Sequence, residues 1–243
     1  GGAGAFSDGK LTLSPAVGGR LTDILGAERM AQLVQEVDET YVQFGARGPI
    51  YGTATDEIEA LEKRAALAGL RLISVPIRHM GTERCAEIMR RMRDALLERG
   101  VVIRTRTPVA RVLTGDGRVS GVETEEGERI EAEAVIVAPG REGAAWFTVI
   151  ADQIGLTVGR NPVDLGVRVE VPAVVLESIT DLVYESKFIY YSKAFDDRAR
   201  TFCMCPHGEV STEYAGDVMT ANGDTLADTR TTNSNFAILA SKS

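Results

Sequence analysis

The chain has 243 residues, 44% of them hydrophobic and 26% charged, with 27 Lys and Arg against 35 Asp and Glu for a formal net charge of −8. That length and composition fit one large or two modest globular domains, and no apolar run approaches the roughly 18 residues of a membrane span. The acidic balance argues against nucleic acid or an anionic membrane as partner, because both select a basic surface.

The first residues read GGAGAFSDGKL. Gly1, Gly2 and Gly4 let backbone amides approach a bulky anionic or planar ligand, because no Cβ intervenes. Ser7, Asp8 and Lys10 add polar tips that could fix such a ligand. A mature globular protein rarely begins on such a run, so the expectation is a chain cut from a longer one. Residues 27–44 predict a helix, with Met30, Leu33, Val34, Val37, Tyr41 and Phe44 on one face. A second helix is expected from Thr55 to Ala68, opened by acidic Asp56 and Glu57 and stopped by Gly69. Leu70 to Ile77 reads as extended and ends in Arg78-His79-Met80-Gly81. A third helix is expected over 83–99, capped by Thr82, with Ile88, Met89, Met92, Ala95 and Leu96 as its buried stripe and Gly100 as its stop.

A strand is expected at 101–106, then strands near 109–114, 118–124 and 128–132. Gly115-Asp116-Gly117 turns the middle pair into a hairpin. The uninterrupted run Ala134-Val135-Ile136-Val137-Ala138, ending at Pro139-Gly140-Arg141, suits a central strand buried on both faces. Beyond Trp146 the chain turns β-rich, with strands expected at 165–171, 187–192, 200–205, 209–214 and 235–240 and a loop over 222–235. A domain boundary is therefore expected near 145–160. The fold class expected is α/β: a Rossmann-like dinucleotide-binding sheet with a β-meander over 1–145, with a helical insertion at about 21–80, and a second, β-rich domain over 146–243. The full GxGxxG fingerprint after a strand is absent.

Several side chains invite chemistry. His79 sits beside Arg78 at a strand-to-helix junction, where it could donate a proton or hold an anion. Cys203 and Cys205, with His207 close by, are suitable metal or redox ligands. Cys-x-Cys on a strand would point both thiols to one face, but no second ligand pair exists for a four-ligand zinc site. A buried, inert thiol pair is the bland alternative. Arg168 alternates with Val167 and Val169 and reads as a surface arginine. The odd cysteine count makes no disulfide framework and points to a reducing cytosol.

GGAGAFSDGKL, VPIRHMGTE at 75–83, VIVAPGREGAAW at 135–146 and TFCMCPHGEV at 201–210 occur in an order that resembles a family of uncharacterised FAD-dependent dehydrogenases. These are more distantly similar to flavoproteins with a glutathione-reductase-like FAD domain. The family's upstream GxGxxG and downstream glycine-rich segment are missing, so the chain looks like the family's middle, and the resemblance implies an incomplete Rossmann-like FAD/NAD(P)-binding domain over 1–145 and a substrate or cap domain over 146–243 that is incomplete at its C-terminus. The resemblance implies that Gly1, Gly2, Ala3, Gly4, Ser7, Asp8 and Lys10 line the flavin and pyrophosphate. It implies that Val109 offers its backbone to the adenine and that Ala138, Pro139, Gly140 and Arg141 lie against FAD. His79, Cys203 and Cys205 are the candidates for a catalytic role. The expected function is hydride transfer between FAD and a small-molecule substrate, with NAD(P)H or another electron donor as partner, in the cytoplasm. The alternative is a non-catalytic binding module or an inactive piece of a flavoprotein fold.

Overall fold

The computed structural model describes residues 9–140, 143–159, 163–195, 197–215, 218–226 and 228–242. It is a mixed α/β chain whose elements are, in order, β1 (Lys10–Thr12), α1 (Leu21–Leu25), α2 (Ala27–Gln43), β2 (Ile50–Tyr51), α3 (Thr55–Leu67), β3 (Arg71–Ile73), β4 (Ile77–His79) and α4 (Thr82–Glu98). Next come β5 (Val109–Gly115), β6 (Arg118–Thr124), β7 (Arg129–Glu131), α5 (Ala144–Gln153), β8 (Val163–Pro172), α6 (Glu177–Val183) and β9 (Lys187–Tyr191). The last are β10 (Arg198–Cys205), β11 (Glu209–Ala215), β12 (Val218–Asp224) and β13 (Asn233–Lys242). Among the described residues no helix is long and apolar enough to cross a membrane.

Two compact units result: residues 1–94, 162–214 and 219–243 make the first, and residues 95–161 and 215–218 the second. The first holds a five-stranded sheet in the order β3-β9-β10-β13-β8 and a small sheet in the order β1-β4-β2. β3, from the first third of the chain, pairs antiparallel with β9, Leu72 opposite Phe188. Sheet edges are completed by hydrogen bonding and burial, which ignore distance along the sequence.

Helix α3 shows why these elements pack. Ile58, Leu61 and Ala65 recur at helical spacing and meet Leu72 of β3 and Val183 of α6 in one buried cluster. Helix α4 does the same with Cys85 and Ile88, which join Ala46 and Met80 under Leu11, Tyr41 and Phe44. Each fully buried aliphatic of this kind contributes about 1.5–3 kcal/mol relative to exposure.

In the second unit the meander β5-β6-β7 forms as its pattern predicts. Its first hairpin closes Gly115 on Arg118, with Asp116 at φ 52° and Gly117 at φ 75°. Both central residues in the left-handed region match the twist of the flanking strands. Two expected strands are not formed: residues 101–104 and 134–138 have no regular secondary structure, and 105–106 bend, with Arg106 at φ 56°. Val102 is 78% and Ile136 93% exposed. Apolar β-branched sequence makes a strand only where a neighbour supplies the ladder, and neither segment has one among the described residues.

Candidate functional site

Strand β4 divides its neighbours by alternation. Ile77 and His79 are buried on one face, and Arg78 faces the other. The Arg78 side is closed. Its Nε and Nη2 donate to the two carboxylate oxygens of Asp38 on α2 at 2.6 and 2.8 Å, and its Nη1 donates to the Gly48 carbonyl at 2.8 Å. The Asp38 hydrogen bonds raise the guanidinium pKa above its ordinary value, outweighing the opposing effect of burial. Arg78 is thus a tie between helix and strand.

The His79 side is where the singled-out residues converge. β1 pairs antiparallel with β4, and Lys10 is the direct cross-strand partner of His79. Directly opposed residues share a face. The His79 ring stacks on Tyr184 with centroids 4.4 Å apart, and Tyr184 in turn lies 4.9 Å from Tyr51. Lys10 Nζ lies 5.9 Å from the Tyr184 ring centroid and 3.3 Å from Glu185 Oε2, with the Lys10 side chain only 7% exposed. The other Glu185 oxygen accepts from the Cys203 amide at 3.3 Å. Four ionisable side chains, Lys10, His79, Tyr184 and Glu185, from the first and last thirds of the chain therefore meet in one mostly buried group.

Glycine makes this approach possible at two points. A Cβ on Gly48 would stand 1.7 Å from the His79 carbonyl oxygen. Gly9 has φ +73° and its Cβ would meet the Gly81 amide at 2.6 Å. Three residues around the group, Tyr184 (φ 49°), Cys203 (φ 47°) and His207 (φ 51°), hold the left-handed region without being glycine. Such backbone persists only where its surroundings over-determine it, and it gathers at functional sites.

Two cavities of about 70 Å³ open in this unit. One is apolar, lined by Leu11, Tyr41, Met80, Cys85 and Ile88 together with Gly9 and Lys10. The other is polar, bounded by Tyr51, His79, Tyr184, His207, Thr225 and Arg230 among others. Ring nitrogen Nδ1 of His207 lies 3.1 Å from the Thr231 carbonyl, and its Nε2 lies 3.7 Å from Glu177 Oε1.

The cysteines behave differently from expectation. β10 breaks register against β13 between Phe202 and Cys205, so strict alternation does not hold across Cys203 and Cys205. Cys203 Sγ lies 3.9 Å from Asn222 Oδ1. Cys205, fully buried, receives Arg168 Nη2 at 3.4 Å. Both thiols are unlinked. Among the described residues no group of three or more His, Cys, Asp or Glu is placed to hold a metal. Arg168 is not a surface arginine. It donates to Asn235 Oδ1 and to the Cys203 carbonyl, both at 2.8 Å, pinning the irregular end of β10 to β13. A positive charge finds its partners inside because the bulge frees a carbonyl there.

Of the residues placed against a cofactor by resemblance, Gly1, Gly2, Ala3, Gly4, Ser7, Asp8 and Arg141 lie outside the described residues. Ala138, Pro139 and Gly140 are exposed in the second unit, at the end of the unpaired 134–138 segment. The Val109 carbonyl accepts a hydrogen bond from the Trp146 indole. Nearby in sequence, Arg118, Val119, Glu133, Ala134 and Val135 line a surface hollow of about 730 Å³. Sequence reasoning missed Tyr184, Glu185 and Thr225. The one local signal was Tyr184-Glu185-Ser186 directly after the α6 pattern, which is indistinguishable from an ordinary helix end.

A family model described as FAD dependent oxidoreductase matches residues 16–232. No curated protein matches the chain.

Proposed function

We propose, from the premise that the chain belongs to the FAD dependent oxidoreductase family, that the Lys10–His79–Tyr184–Glu185 group is the part of this enzyme that handles protons and orients substrate. The chain is an FAD-dependent oxidoreductase. FAD, when bound, supplies the redox chemistry by accepting or giving a hydride. The observation that carries the site reading is the direct pairing of Lys10 with His79 across the β1–β4 ladder. It joins the end of the segment that resembles a flavin-lining loop to the one histidine that is 8% exposed and borders the polar cavity.

The residues described do not by themselves enclose a flavin. Each cavity of the first unit, at about 70 Å³, is far below the roughly 300–1,000 Å³ of a cofactor pocket. The hollow of the second unit is large enough, but its lining pairs one cation with one carboxylate and offers no glycine cradle for a pyrophosphate. His79 holds or passes a proton at its ring, Tyr184 fixes the plane of that ring, and the Lys10–Glu185 pair fixes the strand and balances charge. Cys203 contributes its backbone amide to Glu185, and Cys205 serves Arg168; neither thiol is assigned a redox role.

The fold is taken as an FAD-binding scaffold of Rossmann-like, glutathione-reductase-like descent, and Gly1–Lys10 with Val109 and 138–141 as its cofactor contacts. The partners are taken as a small-molecule substrate and NAD(P)H or another electron donor, in the cytoplasm. Titration of the purified protein with FAD, followed by visible absorption, tests the cofactor arm. A perturbed, stoichiometric flavin spectrum is expected. A spectrum identical to free FAD would remove it. His79→Asn and Tyr184→Leu, compared at equal flavin occupancy for turnover with artificial acceptors, test the site arm. Unchanged turnover in both would reject the site.

A further inference from the structure

We infer that Cys203 and Cys205 form a reversible dithiol–disulfide site, with Cys205 held as a thiolate under the Arg168 guanidinium. The inference is independent of the site at His79 and goes beyond hydride transfer, in which neither thiol takes part. Two observations carry it. The first is a cation without a carboxylate. Arg168 is half-buried, and its partners are Asn235 Oδ1 and the Cys203 carbonyl, both at 2.8 Å, and Cys205 Sγ at 3.4 Å. Glu170, two residues along β8, is exposed, and neither it nor Asp224 of β12 makes an ion pair with Arg168 among the described residues. The amide and the carbonyl are neutral, so of these three partners only the sulfur can take a negative charge. A neighbouring cation favours the ionised form of an acid, and a thiol beside arginine is ionised for that reason.

The second is an unmet donor beside the same sulfur. Asn235 stands directly opposite Cys205 across the β10–β13 ladder, so the two side chains share a face. Asn235 is fully buried, and its Nδ2 has no hydrogen-bond partner among the described residues. Its Oδ1 is committed to Arg168 Nε, which fixes the orientation of the amide. A neutral thiol is a weak acceptor, whereas an ionised one accepts strongly from such an N–H. Charge on Cys205 Sγ therefore answers both the guanidinium and the amide.

The spacing brings the two sulfurs within covalent reach. Residues two apart have Cα atoms at most about 7 Å apart, the upper end of what a disulfide spans. β10 is irregular here, with a register shift between Phe202 and Cys205 and Cys203 at φ 47°. Cys203 Sγ lies 3.9 Å from Asn222 Oδ1. The next residue, Gly223, abuts Arg168, because a Cβ there would overlap Arg168 Nη2 and Asn235 Oδ1. Both sulfurs thus belong to one cluster around the guanidinium. The other charged groups nearby are engaged elsewhere: Glu185 with Lys10, Glu213 with the Asn222 amide, and His207 with the Thr231 carbonyl. Cys203 is half-buried and Cys205 fully buried, so Cys203 meets the reagent and Cys205 closes the ring.

The reagent is a small-molecule disulfide. Cys203 Sγ attacks one of its sulfurs, a mixed disulfide forms, and the first thiolate leaves and takes up the Cys203 proton. The Cys205 thiolate then attacks Cys203 Sγ, the internal S–S bond forms, and the second thiolate leaves. The two protein sulfurs give up two electrons, and the added disulfide becomes two thiols. Ring closure removes the anion from Arg168, so a mild thiol reopens the bond.

The flavin-saturated protein is treated with 2-hydroxyethyl disulfide at pH 7 with oxygen excluded, unfolded in N-ethylmaleimide, digested with trypsin and weighed. The peptide from Thr201 to Arg230 carries Cys203 and Cys205 and no other cysteine. In the parent protein it should carry the internal disulfide and no label. Cys205→Ser should stop at the Cys203 mixed disulfide. Arg168→Gln should slow ring closure roughly tenfold at pH 7, so that the mixed disulfide accumulates. Closure in that variant should recover at about pH 9, above the ordinary thiol value of about 8.5, which a merely structural role for Arg168 would not produce. Circular dichroism on each variant reports the fold. A parent peptide that is doubly labelled, or that keeps the mixed disulfide, would overturn the inference. So would parent ring closure that falls away as pH drops through about 8.5, or an Arg168→Gln protein of native dichroism that closes at the parent rate at pH 7.

Discussion

The two sides of β4 carry adjacent, polar, partly buried residues with opposite fates. On the Arg78 side each guanidinium nitrogen donates: Asp38 takes two hydrogen bonds and Gly48 a third. On the His79 side there is a stacked tyrosine, a buried ion pair and a polar cavity. Saturated hydrogen bonding spends a polar group on the fold, whereas unsaturated polar lining around a void leaves capacity for a ligand. The same contrast separates the cysteines, since Cys205 is enclosed under Arg168 while Cys203 contributes through its amide.

That contrast predicts a double dissociation. His79→Asn should lower turnover roughly hundredfold, within the usual range for removing a proton-handling group, and barely move the urea midpoint of unfolding. A large loss of stability with turnover intact would reverse the roles assigned to the two sides. Asp38→Ala should do the opposite. It should cost about 2 kcal/mol of unfolding free energy, below the full penalty for stranding a buried charge because both side chains keep some contact with water. The flavin spectrum should be unchanged.

A smaller effect concerns the edge strand. Asp164 on β8 accepts from the Ser241 hydroxyl and pairs with Arg200 at 2.6 Å. The Ser241 hydrogen bond, then Arg200, holds its carboxyl below the usual range. A folded-state pKa below the unfolded one means that the unfolded chain binds more protons in that window. The stabilisation is complete above the ordinary aspartate value of about 3.9 and is lost as pH falls through the lower folded value. Thermal melts should therefore drop below about pH 4, and Asp164→Asn should flatten that drop. A steeper drop in the variant would contradict the sign. The smallest effect is reserved for an exposed pair. Lys63→Gln removes a helix contact to Glu59 at 4.0 Å between side chains 79% and 67% exposed, and no measurable shift in unfolding midpoint is expected.

Legibility in the sequence varied with the kind of order involved. The 27–44 periodicity appears as α2 over Ala27–Gln43, and Gly115-Asp116-Gly117 appears as the hairpin turn. Both depend on neighbours a few residues away. The 134–138 run was misread because its composition is that of a buried strand while its partners are a matter of the whole fold. Arg168 was misread for a similar reason: alternation gave its face, but the bulge in β10 that supplies its carbonyl acceptor is a tertiary feature.

Sequence alone determined helices α2, α3 and α4, the meander, the acidic character and the FAD dependent oxidoreductase family, because those are written in local spacing and in motifs read in order. Only the tertiary structure decided that Lys10 stands opposite His79, that Tyr184 lies over both, and that Tyr51, His79 and Tyr184 border one polar cavity with His207. Strand pairing and burial bring residues from the start, middle and end of the chain into contact, and no local rule specifies which distant segments will satisfy one another's backbone groups.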